Sequence, residues 1–481
     1  MKNRSKFGRR DLLKAGFASL PVCALSSSLE AMARSAAGGN PNRRMLVVNL
    51  RGAHDGVNAV IPHGDPDYLN ARPVIGIAQN QSLTLNGYPN IGLHPAMTGL
   101  QTLFNQNSVA FIHRVGNLDG KRSHFNEQHL LETGRLDYVP SAKGWIPQAL
   151  SQLPATGLMP SLSLSHRMQR MFLSSDPNDE TYHLQAPYKT NGALREIDIK
   201  FANPGSPPTN TPAIRVANRV EQTGLSGIGA YAVTAEGPFL RTTIRDSIDK
   251  LRQLRLSHGS FTHLPASFPT NPSDPNVTGV ANTSKYYGFF ARVEEAVYML
   301  NSGISNFVGV ELGGWDTHAN QVTGSPIAGT HAELLAVLSH AITSAKQALT
   351  SDDLILVVTE FGRTNRDNGS GTDHGVGALY IVVGDLVNGG VYNCWLPATA
   401  TNPAMGQPKG AQWKQLLSPP SAPEYFDAIE PATDFRVPFV EILTKFFQMP
   451  STDLANFSDL GNTWERIYNN PVGAFAPLDF L

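Results

Sequence analysis

The sequence predicts an α/β fold in which a doubly wound, mostly parallel sheet is flanked by helices. Short apolar runs, typical of buried parallel strands, recur along the 481 residues. Segments with apolar residues at helical spacing lie between these runs, and polar residues with glycines follow the strands. This alternation predicts helices on both faces of one central sheet.

The strands and helices are expected in a regular order. The apolar run Met45–Leu50 predicts the first strand, and helical spacing between Ala96 and Gln106 predicts the helix after it. Further strands are predicted at 109–113, 162–164, 307–312, 354–359 and 379–383. Further helices are predicted at 239–256, 286–301, 330–349 and 438–447.

Stretches rich in Pro, Gly, Ser, Asn and Thr interrupt this order at 203–212 and 258–284. They predict surface loops in an insertion at about 155–285, which we interpret as a cap on the substrate side. The predicted organisation is a signal peptide at 1–33 and one α/β domain at 45–481 that carries this insertion.

The first 33 residues have the features of an export signal. The pair Arg9-Arg10 precedes a short apolar stretch at 15–25, and Ala31-Met32-Ala33 places small residues at a cleavage site. Paired arginines here predict export by the twin-arginine machinery to the periplasm or the extracellular space. An ordinary Sec signal is the alternative. No apolar run approaches the ~18 residues of a membrane span, so no transmembrane segment is predicted.

Composition excludes other classes of protein. Hydrophobic residues make up 41% of the chain, which is enough for a large buried core. Without the signal segment, 32 basic and 37 acidic residues remain, a net charge of −5. A mildly acidic body without basic runs argues against nucleic acid as a partner.

Acidic residues and histidines lie beside the predicted strands in five segments. Four of them follow strands, at 51–56, 121–125, 313–318 and 360–364, and the fifth, at 371–375, lies just ahead of the strand at 379–383. Because ligands bind outside the carboxyl ends of strands in open α/β sheets, we expect these side chains to meet at one edge. Carboxylates with imidazoles suit Zn²⁺ and Mn²⁺, whereas carboxylates with few imidazoles suit Mg²⁺ and Ca²⁺. The sequence thus predicts one or two divalent metal ions, most simply zinc, with candidate ligands Asp55, Asp316, His318, Glu360, Asp373 and His374.

These segments resemble a known family. The most specific are Gly313-Gly314-Trp315-Asp316-Thr317-His318 and Glu360-Phe361-Gly362-Arg363, with Leu50–Gly56, Arg122–Phe125 and Gly371–Gly375 beside them. From about residue 45 onward the chain is similar to the domain-of-unknown-function 1501 family. Members typically carry twin-arginine signals and belong, by similarity, to the alkaline phosphatase and sulfatase superfamily. The resemblance implies an alkaline phosphatase-like fold with two metal ions at the carboxyl ends of the central strands.

The resemblance also implies roles for the metal ligands. Asp55 would be shared by one metal and the nucleophile, and Glu360 would take the place of an aspartate after a central strand. Asp316 and His318 would serve the second metal together with His374. Which metal position is filled by Glu360 and which by Asp373 and His374 stays open.

The resemblance also implies that Ser123 is the nucleophile, because the superfamily places a Ser, Thr or modified Cys at a helix N-terminus, whose N–H groups favour anions. A helix N-cap is its alternative role. Arg122 and Arg363 are candidates for stabilising charge in the transition state. The chain lacks the Cys-x-Pro-x-Arg motif of sulfatases that use a modified cysteine, since Trp395 follows Cys394.

The sequence therefore predicts an exported metal-dependent hydrolase that acts on a small anionic phosphate, sulfate or phosphonate ester. Asp316 and His318 are two residues apart, whereas the superfamily commonly spaces this pair by four. This departure leaves an alternative, a non-catalytic periplasmic binding or assembly protein on a phosphatase-like fold. A Ser-His-Asp acyl hydrolase is less well supported, because the chain has no Gly-x-Ser-x-Gly motif.

Overall fold

The structure is a computed structural model. It describes residues 39–140, 142–154, 160–165, 169–172, 268–269, 280, 283–393, 429, 431–457, 463–469 and 473–481. The predicted signal peptide, most of the predicted insertion, the helix predicted at 239–256 and Cys394 lie outside the described residues.

Eleven strands lie among the described residues. In chain order they are β1 (Arg44–Arg51), β2 (Val60–Ile61), β3 (Leu83–Leu85), β4 (Tyr88–Leu93), β5 (Val109–Gly116), β6 (Ser161–Ser163), β7 (Phe307–Gly313), β8 (Asp353–Thr359), β9 (Ala378–Val383), β10 (Gly390–Tyr392) and β11 (Thr433–Asp434). The central sheet has the order β10-β5-β9-β8-β1-β7-β6, and β11 pairs with β5. The strands β2, β4 and β3 form a separate small sheet.

The central sheet is parallel except at β9. β1 pairs in parallel with both β7 and β8, and β6 pairs in parallel with β7. β9 runs antiparallel to β8 on one side and to β5 on the other. The start of β9 therefore lies at the edge where its neighbours end. The prediction of a mostly parallel α/β sheet is confirmed, and this antiparallel strand was not expected.

Helices pack on both faces of the sheet, as predicted. The described ones are α1 (Gly56–Ala59), α2 (Pro66–Ala71), α3 (Thr98–Asn105), α4 (His124–Thr133), α5 (Trp145–Leu150), α6 (Thr283–Asn301), α7 (Thr330–Ala348), α8 (Val437–Glu441) and α9 (Thr463–Asn469). Alternate residues of β1 face opposite sides, as the pleat of a strand requires. Leu46 and Val48 join the core formed with α3, α6 and α7. Met45 and Val47 join the core formed with α4, α5, α8 and α9.

Two local features differ from the sequence prediction. The helix expected at 438–447 is divided, since α8 ends at Glu441 and a π-helical turn continues over Ile442–Phe446. The small sheet was not predicted, because two of its strands are only two and three residues long and show no readable alternation. Within the described ranges, no helix is both long and apolar enough to cross a membrane.

Candidate metal centre

Three histidines and one aspartate converge at the carboxyl edge of the sheet. His124 opens α4, Asp316 and His318 follow β7, and His374 precedes β9. Nε2 of His374 lies 3.0 Å from Nε2 of His124 and 2.9 Å from Nε2 of His318. Oδ1 of Asp316 lies 3.0 Å from Nε2 of His318 and 3.1 Å from Nε2 of His374. We call these four residues the histidine cluster.

The antiparallel strand explains how His374 reaches this edge. In a parallel sheet, a residue that precedes a strand would lie at the opposite edge from residues that follow strands. Because β9 is reversed, the loop before it meets the loops after β7 and β8. A bridge between Arg363 and His374 joins two of these loops directly.

The other nitrogen of each imidazole faces an oxygen that can only accept a hydrogen bond. The pairs are His124 Nδ1 with Glu360 Oε1 at 2.7 Å, His318 Nδ1 with Asp373 Oδ1 at 3.0 Å, and His374 Nδ1 with the Arg122 carbonyl at 3.0 Å. These partners place the proton of each neutral ring on Nδ1, so Nε2 presents its lone pair. Three lone pairs and a carboxylate therefore face one another. Metal-binding histidines in proteins are oriented in the same way.

The two distances from His374 Nε2 to the other imidazoles are close to those between ligands of one ion. Two nitrogens about 2.1 Å from a zinc ion at a tetrahedral angle lie ~3.4 Å apart. The imidazole separations of 2.9 and 3.0 Å are a few tenths of an ångström shorter. Small outward shifts of the rings would admit an ion.

The surroundings tune the charges of the histidine cluster. The hydrogen bond that His124 donates to Glu360 raises the pKa of His124, against the effect of its burial. Burial lowers the pKa of His374. Burial alone would raise the pKa of Asp316, but the hydrogen bond and charge of Arg363 outweigh it and lower this pKa to about 2. Asp316 is therefore ionised at neutral pH, which suits a metal ligand.

Two predicted ligands, Glu360 and Asp373, lie behind the imidazoles. Oε1 of Glu360 accepts hydrogen bonds from His124 and from the Gly52 N–H, and Oε2 accepts one from the Thr359 hydroxyl. Asp373 holds the outer nitrogen of His318. Both carboxylates orient a histidine instead of pointing at the centre of the histidine cluster.

Asp55, a third predicted ligand, lies in a buried ion pair. Its Oδ2 is 2.7 Å from Nη1 of Arg72 and 2.6 Å from Nε2 of Gln321. Burial opposes ionisation of Asp55, but the charge of Arg72 prevails and holds the pKa of the carboxyl well below its usual range. Within the described ranges, the one group of three or more acidic or histidine ligand atoms within 4.8 Å of one another belongs to His124, Asp316 and His374 of the histidine cluster. The structure does not place Asp55 in this group.

Arg363, a predicted catalytic residue, is almost completely buried and bonded to the chain itself. Its guanidinium donates to backbone carbonyls of Gly52, Ala53, Trp315 and Thr372, and to Oδ1 of Asp316 at 2.7 Å. These bonds tie the loops after β1 and β7 to the loop before β9. Arg363 thus positions Asp316 and the loops around it.

Ser123 and Arg122 lie directly before the first helical ligand. Ser123 is the N-cap residue of α4, yet its side chain makes no capping hydrogen bond to the described first turn. Arg122 has φ +56°, a backbone conformation that non-glycine residues seldom adopt and that often occurs at functional sites. This conformation accompanies the hydrogen bond between the Arg122 carbonyl and His374. The Arg122 side chain also donates to the His374 carbonyl at 3.3 Å.

His124 is not among the ligands predicted from the sequence, although the segment at 121–125 contains it. The available signal was its position, because His124 follows β5 as Asp316 and His318 follow β7. The rule that selected the other ligands applies equally to His124.

A family model described as "Protein of unknown function (DUF1501)" matches residues 281–406. The matched segment contains β7, α7, β8 and β9, and with them Asp316, His318 and His374 of the histidine cluster. Comparison with curated proteins found no match. The family match supports the resemblance seen in the sequence motifs, and residues 281–406 thus carry a domain similar to the DUF1501 family.

Proposed function

We propose that the histidine cluster binds one divalent transition metal ion, most simply zinc, and that the exported protein uses it to hydrolyse phosphate or related esters. The observation that carries this proposal is the set of three Nε2 lone pairs that face the carboxylate of Asp316. Neutral imidazoles with a carboxylate are a ligand set of zinc enzymes. Manganese is the next candidate on the same chemistry.

The openness of the histidine cluster favours a catalytic over a structural ion. Side-chain exposure is 46% for both Asp316 and His318, 29% for His124 and 25% for His374. Structural zinc sites are closed by four protein ligands, whereas catalytic sites have three and leave a position open to water or substrate. His124, Asp316 and His374, whose ligand atoms lie within 4.8 Å of one another, would supply three ligands and leave such a position. Solvent and a small substrate can therefore reach this edge of the sheet.

The residues before and around α4 supply the remaining chemistry. The Ser123 hydroxyl does not cap the helix, which leaves it available as a nucleophile one residue before His124. The first-turn N–H groups of α4 favour an anionic substrate group. A bound ion would stabilise charge on the substrate oxygens. Arg363 keeps Asp316 ionised and in place.

We further propose an alkaline phosphatase-like fold and export by the twin-arginine route. The mostly parallel sheet with candidate ligands at its carboxyl edge supports the first, and Arg9-Arg10 before a short apolar stretch supports the second. The substrate would be a small anionic ester. The described structure supports one ion rather than two, because Asp55 forms a buried ion pair with Arg72.

A non-catalytic binding protein remains the second candidate. Arg363 and Glu360 are both engaged by the chain itself, so fewer charged groups are left for substrate. Metal binding without turnover would favour this candidate.

Metal analysis and a substrate screen test the proposal. The full chain, exported in a native host, should contain about one ion per molecule, which His374→Ala should lose. His63→Ala serves as a control, since His63 is a partly buried histidine after β2 and is not one of the residues of the histidine cluster. The loaded protein should cleave at least one of an aryl phosphate, a phosphodiester or an aryl sulfate. If zinc, manganese and cobalt all fail to bind, the proposal is wrong.

A further inference from the structure

We infer that Gln321 is a positioning residue for the metal centre. Its side chain links buried Asp55 to the two loops that carry Asp316, His318 and His374. This inference rests on the proposed metal binding and assigns a role to a residue outside the sequence motifs. The link consists of the side chains of Asp55, Gln321, Thr317 and Thr372, and we call it the Gln321 link.

The hydrogen bonds of the Gln321 link use both ends of one amide. Nε2 of Gln321 donates to Oδ2 of Asp55 at 2.6 Å. Oε1 accepts from the Thr317 hydroxyl at 3.1 Å and from the Thr372 hydroxyl at 2.8 Å. Because a carboxylate only accepts, Nε2 must face Asp55 and Oε1 must face the hydroxyls. The amide therefore has one satisfactory orientation.

The two threonines lie beside the ligands. Thr317 stands between Asp316 and His318, and Thr372 lies two residues before His374. One amide oxygen therefore sets the separation of two ligand-bearing loops. A rotation or shift of either loop would break a hydrogen bond inside the protein, where water cannot replace it.

The backbones of the two loops are also in close contact around the Gln321 link. The Thr372 N–H donates to the Thr317 carbonyl at 3.2 Å, and the Gln321 N–H donates to the Ser370 carbonyl at 3.0 Å. A Cβ atom at Gly371 would lie only 2.2 Å from the Thr317 carbonyl oxygen, so this approach requires glycine. The loops are thus in direct contact where the Gln321 side chain joins them.

Asp55 anchors the other end of the link. Arg72 pairs with Asp55 and donates to the carbonyls of Thr364 and Asn365, which follow Arg363. Asp55, Gln321 and Arg72 are all at most 1% exposed. A buried pair of this kind is often no more stabilising than apolar residues of equal volume. Positioning of the loops is therefore the stronger explanation for these polar groups.

Measurement of metal affinity distinguishes a residue that positions the ligands from one that only stabilises the fold. Gln321→Met keeps the length of the side chain but removes all three hydrogen bonds. Thr317→Val and Thr372→Val each remove one hydroxyl at nearly constant shape. Gln148→Met is the matched control, because Gln148 is also buried and donates to a backbone carbonyl, that of Gly144 in another part of the fold.

The experiment titrates Co²⁺ and Zn²⁺ into each metal-free full-length variant and records the visible spectrum of the cobalt form. We expect Gln321→Met to weaken Co²⁺ binding roughly 10- to 100-fold and to change the spectrum, as loss of groups that orient ligands usually does. Each threonine variant should show a smaller loss in the same direction. Gln148→Met should keep wild-type affinity and spectrum even where its Tm falls.

The two proposals fail in different ways. If Gln321→Met and both threonine variants keep wild-type affinity and spectrum while the metal-free Tm falls, the Gln321 link only stabilises the fold and this inference is wrong. If Gln321→Met does not fold, the threonine variants decide the question. If the wild-type protein binds neither of these ions nor Mn²⁺, metal binding and the inference are both overturned.

Discussion

The buried guanidinium of Arg363 and the half-exposed carboxylate of Asp316 form an ion pair, with Nη2 and Oδ1 2.7 Å apart. The pair connects the interior of the loop region to the open metal centre. Arg363 makes four further hydrogen bonds to backbone carbonyls, so its position is fixed independently of Asp316. Asp316 is therefore held in place by the fold before any ion binds.

Replacement of Arg363 should destabilise the protein even without metal. Arg363→Lys keeps the charge but cannot reach all five acceptors, and buried acceptors left unpaired cost about 1–3 kcal/mol each. We expect a loss of more than about 2 kcal/mol in the free energy of unfolding, measured by urea denaturation with a chelator present. Arg51→Lys is the control, because Arg51 pairs with Glu311 at the surface and should cost less than ~1 kcal/mol. Equal losses in the two variants would contradict this role of Arg363.

The contribution of His124 to the pH dependence of stability should change sign when the metal is removed. The Glu360 hydrogen bond raises the pKa of His124 in the folded protein. In metal-free protein this pair stabilises the fold fully below the unfolded pKa of about 6.5, and the contribution is lost as pH rises through the higher folded value. Metal binding requires a neutral ring, so the metal contribution instead falls as pH decreases.

Glu360→Gln isolates this effect. Tm is measured between about pH 5.5 and 9, with and without chelator. In the metal-free proteins, lowering the pH should favour the Tm of wild type more than that of Glu360→Gln. Identical pH profiles for the two metal-free proteins would show that Glu360 does not govern the charge of His124.

Asp55→Asn should lower stability in both metal-free and metal-loaded protein. The substitution breaks a buried ion pair, and an unpaired buried charge on Arg72 costs about 3–5 kcal/mol. A direct metal ligand would behave differently, because its loss would matter chiefly when the ion is bound. Chemical denaturation with and without chelator distinguishes the two. An Asp55→Asn protein of normal metal-free stability would return Asp55 to the set of candidate ligands.

Ser123→Ala should abolish turnover without unfolding the protein. Ser123 makes no capping hydrogen bond, so its loss should cost less than the ~1 kcal/mol of a true N-cap. If its hydroxyl is the nucleophile, turnover of an active ester should fall by roughly several powers of ten. Metal content and Tm serve as controls in the same samples. Full activity of Ser123→Ala would indicate that a water molecule attacks instead.

Replacement of Arg9 and Arg10 by lysine should keep the protein in the cytoplasm. The twin-arginine machinery reads the paired arginines as an address, and the charge alone is insufficient. Fractionation of a native host that expresses each form measures the result. Normal export of the lysine variant would favour the Sec alternative.

The sequence by itself determined the α/β class and the position of most strands, because buried strands leave apolar runs that need no distant information. It also selected Asp316, His318 and His374, since polar residues that follow or flank strands of such a sheet gather at one edge. The same rule applies to His124, which follows β5.

Only the tertiary structure decided how each charged group is used. The reversal of β9 carries His374 to the carboxyl edge, and strand direction depends on pairing between distant segments. Asp55 pairs with Arg72, and Gln321, 266 residues away in sequence, completes its contacts. A carboxylate beside a strand end looks the same in sequence whether it faces an ion or a buried arginine. Burial and the nearest opposite charge determine which of these it does, and both are properties of the folded chain.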